Sequence, residues 1–245
     1  MKILICITHV PDTTSKIQFT ADKSQLDKSG VQFIIGPYDD YALARGVELR
    51  DQSGGTLTVL NVGEADTEPT LRKALAIGAD DAVRIDTAPK DSLLVAKEIA
   101  HFAKEGGYDL ILMGRESSDF NGGMVHGMVG ELLGIPSVSP VMKLEVAGDL
   151  GKITREIEGG KESLEIKLPF VAGCQEPIAE WKIPNMRGIM SARTKPLQVV
   201  EPVGGDRSAE VVEFQLPPAK GAVKLVDKDQ VDELVKLLKN EAKVL

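Results

Sequence analysis

The chain has 245 residues, 42% of them hydrophobic and 27% charged, with a formal net charge of −8 and only two cysteines. Such a chain fits one large α/β domain with an appendage, or two small domains, and can bury a substantial core without disulfides. Those values exclude a disulfide scaffold and a cysteine-rich zinc site, and the acidic balance opposes non-specific nucleic-acid binding, which needs a basic surface to neutralise phosphates.

In chain order, residues 2–7 (KILICI) predict a buried strand. Pro11 and Asp12 interrupt this short apolar run, so a signal peptide is not expected. Residues 40–51 predict a helix ended by Gly54 and Gly55, and residues 56–62 (TLTVLNV) the next strand. Asp66 is placed to cap a following helix, with Leu71, Ala74 and Leu75 on its inner face and Gly78 as its stop. A short strand at 82–85 precedes a helix over 93–104, which carries Leu94, Ile99, Phe102 and Ala103 at helical spacing. Residues 110–113 (LILM) form another buried strand.

Continuous apolar strands alternating with helices predict a parallel sheet covered on both faces. Such sheets bind ligands at the carboxyl ends of their strands, which directs attention to the loops after Ile7, Val62 and Met113. Beyond Gly134 the pattern changes. ITREIEGGKESLEIKL alternates apolar and polar residues around Glu158-Gly159-Gly160 and predicts a β-hairpin. Residues 169–174 give one more apolar strand. From about 183 to 220 the sequence is rich in Pro, Gly and charge and reads as an extended arm. A final helix follows, with Asp227 and Gln230 at capping-box spacing and Val231, Leu234, Val235 and Leu238 on one face that needs an apolar partner. Cys6 and Cys174 both lie in strand-like runs, as small buried hydrophobes do. No stretch is long enough to span a bilayer, and a reducing cytoplasmic location is expected.

The most informative loop is LMGRESSDFNGGMVHGMVGELL, over 112–133, running from a buried strand through glycines into an apolar helix. Glycines let the backbone approach a ligand, and helix-start amides attract phosphate. Arg115 is a candidate phosphate partner, and Ser117, Ser118, Asp119 and Asn121 are candidates for phosphate or ribose. A plain Gly-rich turn explains the spacing equally well, since neither a P-loop nor GxGxxG is present. In Ile35-Gly36-Pro37-Tyr38-Asp39-Asp40, Tyr38 offers a ring for stacking, but the stretch by itself reads as a Pro-initiated turn with an Asp cap. His9 and Asp12 read as parts of a polar loop. His101 and His126 lack metal-ligand spacing, so no metal is expected, and Met124 and Met128 fit core packing.

Taken together, VPDTT, GPYDDYALARGVELRD, ALAIGADDAVRI, YDLILMGRESSDFNGG, REIEGGKESLEIKLP and IPNMRGIMSARTKPLQVVEP resemble the electron-transfer flavoprotein beta subunit family over almost the full length. The resemblance implies a Rossmann-like α/β fold of the adenine-nucleotide alpha-hydrolase type. A nucleotide-binding domain would span 1–182, including the 150–174 hairpin and strand, followed by a partner recognition loop at 183–200 and an arm at 201–245 that embraces an alpha subunit. That alpha subunit would hold FAD. Electrons would come from dehydrogenases such as acyl-CoA dehydrogenase and pass to a quinone oxidoreductase or another acceptor. This subunit would hold AMP, or a second FAD in electron-bifurcating members.

By motif, the implied nucleotide contacts are Cys6, Gly36, Pro37, Tyr38, Asp39, Val62, Gly114, Arg115, Glu116, Ser117, Ser118, Asp119, Phe120, Asn121, Gly122, Gly123, Met124 and Val125. Tyr38 and Thr13 would lie near the alpha-bound flavin. Met186, Arg187, Ile189, Met190, Arg193 and Lys195 would dock partners, with Met186 in place of the usual leucine and Arg187 in place of proline. Gly36 replaces a usual Asn, Glu116 a common Gln, and Asn121-Gly122-Gly123-Met124-Val125 an acidic run followed by Thr-Gln-Val-Gly. VPDTT leans toward bifurcating members, while the altered loop matches neither class. The rival expectations are a stand-alone nucleotide-binding stress protein of related fold and an enzyme cleaving an adenylate bond.

Overall fold

A computed structural model describes residues 1–205 and 207–245. Its centre is a nine-stranded sheet, and alternate residues of the first strand, β1 (Lys2–Cys6), explain its layering. Ile3 and Ile5 bury into one core while Leu4 and Cys6 bury into the other, as the two-residue period of a strand requires. Both faces are therefore covered.

A small antiparallel ribbon, β2 (His9–Pro11) and β3 (Phe33–Ile35), follows. Helix α1 (Pro37–Ser53) begins three residues earlier than residues 40–51 suggest, because Pro37 takes a first-turn position where its missing N–H costs nothing. Gly54 ends it at φ 67°, and its N–H reaches the Arg50 carbonyl. Next come β4 (Thr56–Val62), a 3-10 turn at Ala65–Thr67 and α2 (Glu68–Ile77). Asp66 caps nothing; its carboxylate pairs with Lys28 instead. Strand β5 (Asp81–Ile85) leads to α3 (Ser92–Gly106), whose true cap is Asp91, accepting from the Leu94 amide at 2.7 Å. Strand β6 (Leu110–Gly114) and helix α4 (Val125–Leu133) complete the alternating strand–helix half. Helices α1 and α2 pack with the core of Ile3, Ile5, Leu57, Val59 and Leu110, and α3 and α4 with that of Leu4, Leu60, Val83 and Ile111.

Strands β7 (Ser137–Ala147), β8 (Leu150–Ile157), β9 (Gly160–Lys167) and β10 (Phe170–Cys174) extend the sheet. The hairpin stands where the sequence puts it, β8 pairing with β9 from Leu150↔Lys167 to Ile157↔Gly160. β7 carries no clean sequence signal. Pro140 interrupts its pattern, and the strand changes neighbours midway, parallel to β10 first and antiparallel to β8 after the shift near Val141.

Residues 183–200 depart from the extended reading. They contain helix α5 (Met186–Ala192), capped by the Asn185 side chain on the Gly188 amide, and β11 (Leu197–Val200), which adds a parallel edge strand beside β5. Gly188 is required here, since a Cβ would lie 2.3 Å from the Ala76 carbonyl oxygen of α2. The full order is β11-β5-β4-β1-β6-β10-β7-β8-β9, parallel from β11 to β7 and antiparallel beyond.

From residue 201 the chain is an arm. The buried Glu98 carboxylate fastens its start, accepting from the amides of Val203 at 3.0 Å and Gly204 at 2.8 Å. The arm ends in α6 (Val231–Asn240), which buries no residue on this chain. Its capping box does not form: Gln230 makes no side-chain cap, and Asp227 accepts from the Asp229 amide.

Candidate functional site

Strand order reverses direction at β1, with β4 and β5 on one side and β6 and β10 on the other. The carboxyl ends of β1, β4 and β6 diverge there and open a crevice, the usual ligand position in open α/β sheets. A cavity of about 450 Å³ occupies it, lined by Cys6, Ile7 and Thr8 from the end of β1, Leu60, Asn61 and Val62 from β4, and Met113 and Gly114 from β6. The loop before α4 supplies Arg115, Glu116, Ser117, Asp119, Phe120, Gly122, Met124 and Val125. Of the other loop and α1 positions suggested by motif, Asp39 also lines the cavity; Gly36, Pro37, Tyr38, Ser118, Asn121 and Gly123 do not.

Asp39 is 3% exposed and ties the strand ends together. Its Oδ2 accepts from the Thr8 amide at 2.8 Å and the Thr8 hydroxyl at 2.6 Å, and its Oδ1 from the Gly114 amide at 2.7 Å. Asp39 is thus a structural knot between β1, α1 and β6 rather than a helix cap. Two glycines make room for it: a Cβ on Gly36 would sit 2.4 Å from Asp39 Oδ2, and one on Gly114 2.6 Å from Oδ1. Burial pushes the Asp39 pKa up to about 6, against the opposing pull of its bonds from Thr8 and Gly114. A folded-state pKa above the unfolded one means that the group's contribution to stability is present below about pH 4 and lost as pH rises through 6. The expected result is an Asp39 carboxyl carbon resonance titrating with a midpoint near 6; a midpoint below 4 would contradict the burial argument.

The loop itself closes on its own backbone. The Ser117 amide donates to the Gly122 carbonyl at 3.1 Å, Asp119 accepts from the Phe120 amide and the Ser117 hydroxyl, and Asn121 takes φ 51°. The first turn of α4 has no side-chain cap, so its amides are left for an anion or water. The first turn of α3 is closed by Asp91.

Arg115 lines the cavity, and its terminal guanidinium nitrogens are engaged by neighbouring side chains. Its guanidinium lies 4.6 Å from the Tyr38 ring centroid and donates to the Tyr38 hydroxyl and the Gln175 Oε1, both at 2.9 Å. Tyr38 is accordingly held by Arg115 outside the cavity. Cys6 is a buried thiol whose pKa burial drives far up, so it lines the cavity as a neutral apolar group.

Four further residues line the cavity: Asn61, Phe33 and His126, which the motifs do not mark as contacts, and His9, which stands at the ligand end of the sheet but reads in sequence as part of a polar loop. Asn61 Nδ2 donates to the Ile7 carbonyl at 2.9 Å, while its Oδ1 and the His126 Nδ1 are buried without partners. Burial lowers the His126 pKa, opposed by the nearby carbonyls of Arg115 and Gly123, which keeps the ring toward its neutral form. His9 stacks on Phe33 at 4.4 Å between centroids and bonds Thr70, so the expected polar loop is a packed wall. The positions of His9 after the first strand and of Asn61 near the end of β4 are legible in the sequence; the stacking of His9 on Phe33 and the burial of His126 need the fold.

A family model described as "Electron transfer flavoprotein domain" matches residues 24–203. The chain is 36% identical over 259 residues to "Electron transfer flavoprotein subunit beta" of Bacillus subtilis, covering all of both chains. It is 32% identical to the protein of that name from Syntrophomonas wolfei, covering all of this chain and 98% of the relative, and 31% identical to that of Bradyrhizobium diazoefficiens, covering all of both. The chain belongs to the electron transfer flavoprotein beta subunit family.

Within this family member, the remaining motif residues lie on two surfaces. Thr13 is exposed at the tip of a turn that Asp12 closes by accepting from the Thr14 amide and hydroxyl. In α5, Met186 is 74% exposed, and Ile189 and Met190 are exposed with it; Arg187 and Arg193 project from the same region. Lys195 differs, because its ammonium caps the end of α2 by donating to the carbonyls of Leu75 and Ala79. Among the described residues no helix is long and apolar enough to cross a membrane, and no cluster of His, Cys, Asp and Glu is placed to hold a metal.

Proposed function

We propose that this chain is the nucleotide-holding subunit of a heterodimeric electron transfer flavoprotein, with AMP in the strand-end cavity and FAD on an alpha-subunit partner. The cavity at the β1/β6 switch carries this reading. At about 450 Å³ it falls toward the lower end of small-molecule sites, roughly 300–1,000 Å³, a size that favours a mononucleotide. The donor set fits an adenylate: uncapped α4 amides for a phosphate, apolar Leu60, Val62 and Met113 beside a base, and Asn61 at a strand end for polar recognition.

The cavity residues hold a ligand and exclude water; they are not arranged for acid–base work. Asp39, Asp119 and Arg115 are engaged in internal bonds, which argues against adenylate-bond cleavage. The flavin supplies the redox chemistry when bound, and this chain covers and orients it. Residues 1–182 would form the nucleotide-binding unit. The α5 surface in 183–200, with Met186, Ile189 and Met190 framed by Arg187 and Arg193, would receive donors such as an acyl-CoA dehydrogenase, and a quinone oxidoreductase or other acceptor would take the electrons onward. Residues 201–245 would clasp the alpha subunit. Two buried cysteines that form no disulfide with each other suit the cytoplasm.

A second reading, an electron-bifurcating form with FAD in this cavity, draws support from the stacked His9–Phe33 wall at the cavity's edge, a surface suited to a planar ring. Acid extraction of the co-purified heterodimer separates the two. One FAD and one AMP per heterodimer is the expected result; two FAD and no AMP establishes the second reading, and a colourless homodimer without nucleotide overturns both.

A further inference from the structure

The arm does more than leave the domain: it runs along the cavity. On the α3 rim, Asp91 Oδ2 accepts from the amides of Ser208 and Ala209 and from the Ser208 hydroxyl. Next along the chain, Glu210 and Val211 line the cavity itself. Further along, Phe214 stacks on Phe19 with 5.0 Å between ring centroids, and its amide donates to the Lys23 carbonyl at 2.9 Å, both in the segment between β2 and β3 that also brings Lys28 to the cavity wall. Residues 208–214 are therefore pinned at both ends to separate segments of the domain, and 208–211 among them line the cavity.

Asp91 carries a second duty as the α3 cap. Burial disfavours its charge, but the amides of Leu94, Ala209 and Ser208 and the Ser208 hydroxyl outweigh that and hold its pKa down to about 2. The latch is thus charged at every physiological pH. The other attachment is one aromatic pair and one backbone bond.

We propose that residues 208–214 are a strap that completes the binding site, contributing Glu210 and Val211 as a wall and setting how fast a bound nucleotide leaves. This rests on the reading of the cavity as an adenine-nucleotide site. The strap continues into the segment that ends in the unpartnered helix α6. A companion that grips that helix therefore acts on nucleotide release, and by linkage a bound nucleotide favours the arm position that the companion meets.

Phe214→Ala removes the aromatic clamp from a half-exposed site, and Phe19→Ala removes it from the other side. The full-length chain is stripped of nucleotide and reloaded with AMP, and AMP release is followed by displacement, with FAD as a second probe. An aromatic pair of ordinary strength predicts release about three- to tenfold faster in each variant. The double variant should be no faster than either single one, with unchanged circular dichroism. Hydrogen exchange at the Ser208 and Ala209 amides should slow on AMP binding in the unaltered chain. If AMP or FAD binds and both release and exchange ignore these changes, the strap is wrong while the nucleotide reading stands. If neither nucleotide binds the unaltered chain, both fail together.

Discussion

Asp39→Ala is expected to lower the melting temperature by roughly 6–12 °C. The substitution leaves the Thr8 and Gly114 amides at the strand ends without their acceptor. An orphaned buried donor costs roughly 1–3 kcal/mol; taking about 1.5 for each of these two, since the Thr8 site is only part-buried, gives about 3 kcal/mol, and a chain of this size loses about 2–4 °C per kcal/mol. The Thr8 hydroxyl can turn elsewhere and is left out. The pH dependence supplies an independent check. Because the Asp39 pKa is raised to about 6, the carboxyl contributes more to stability at pH 4.5 than at pH 7, and the deficit of the variant should widen as pH falls. Chemical denaturation of both proteins at the two pH values measures this. A deficit that is constant with pH, or a variant as stable as the parent, would refute the knot.

The second large effect concerns association. Changing Val231 and Leu234 to Asp should abolish co-purification of an alpha-subunit partner while leaving this chain as stable as before. Val231 is 61% exposed and Leu234 42%, so neither supports the chain's own core. Exposed positions of this kind change stability by less than about 0.5 kcal/mol. Added acids in the first turn also suit the positive end of the helix. In a complex the same side chains would be buried, each contributing about 1.5 kcal/mol or more, so their joint loss weakens association at least about a hundredfold. Sedimentation of the mixed subunits reads this directly. Undiminished association would mean that α6 faces solvent in the complex too, and the arm would lose its assigned purpose.

The two predictions draw on different parts of the molecule, and their legibility in the sequence differs for the same reason. Asp39 was visible as a motif residue, but its type suggested a helix cap or a ligand contact. Only the approach of β1, α1 and β6 places three donors around it. Arg115 is similar: a cation in a glycine loop suggests phosphate, and only the fold shows that its guanidinium also rests on the Tyr38 ring and bonds the Gln175 amide oxygen. The α6 face, by contrast, was legible from spacing alone, because helical periodicity records an apolar stripe whether or not its partner belongs to the same chain.

By itself, the sequence determined the alternation of strands and helices, the hairpin at Glu158-Gly159, the amphipathic last helix and the family. Each of these is written in local periodicity or in a run of motifs. Tertiary structure alone decided that residues 197–200 join the sheet edge, that Pro140 sits within a strand, that Lys195 closes α2, and that residues 208–211 wall the cavity. The physical reason is common to all four. Each is a contact between segments far apart in the chain, fixed by which backbone groups and rims come within hydrogen-bonding reach after the sheet has assembled, and no local pattern of residue types encodes that distance.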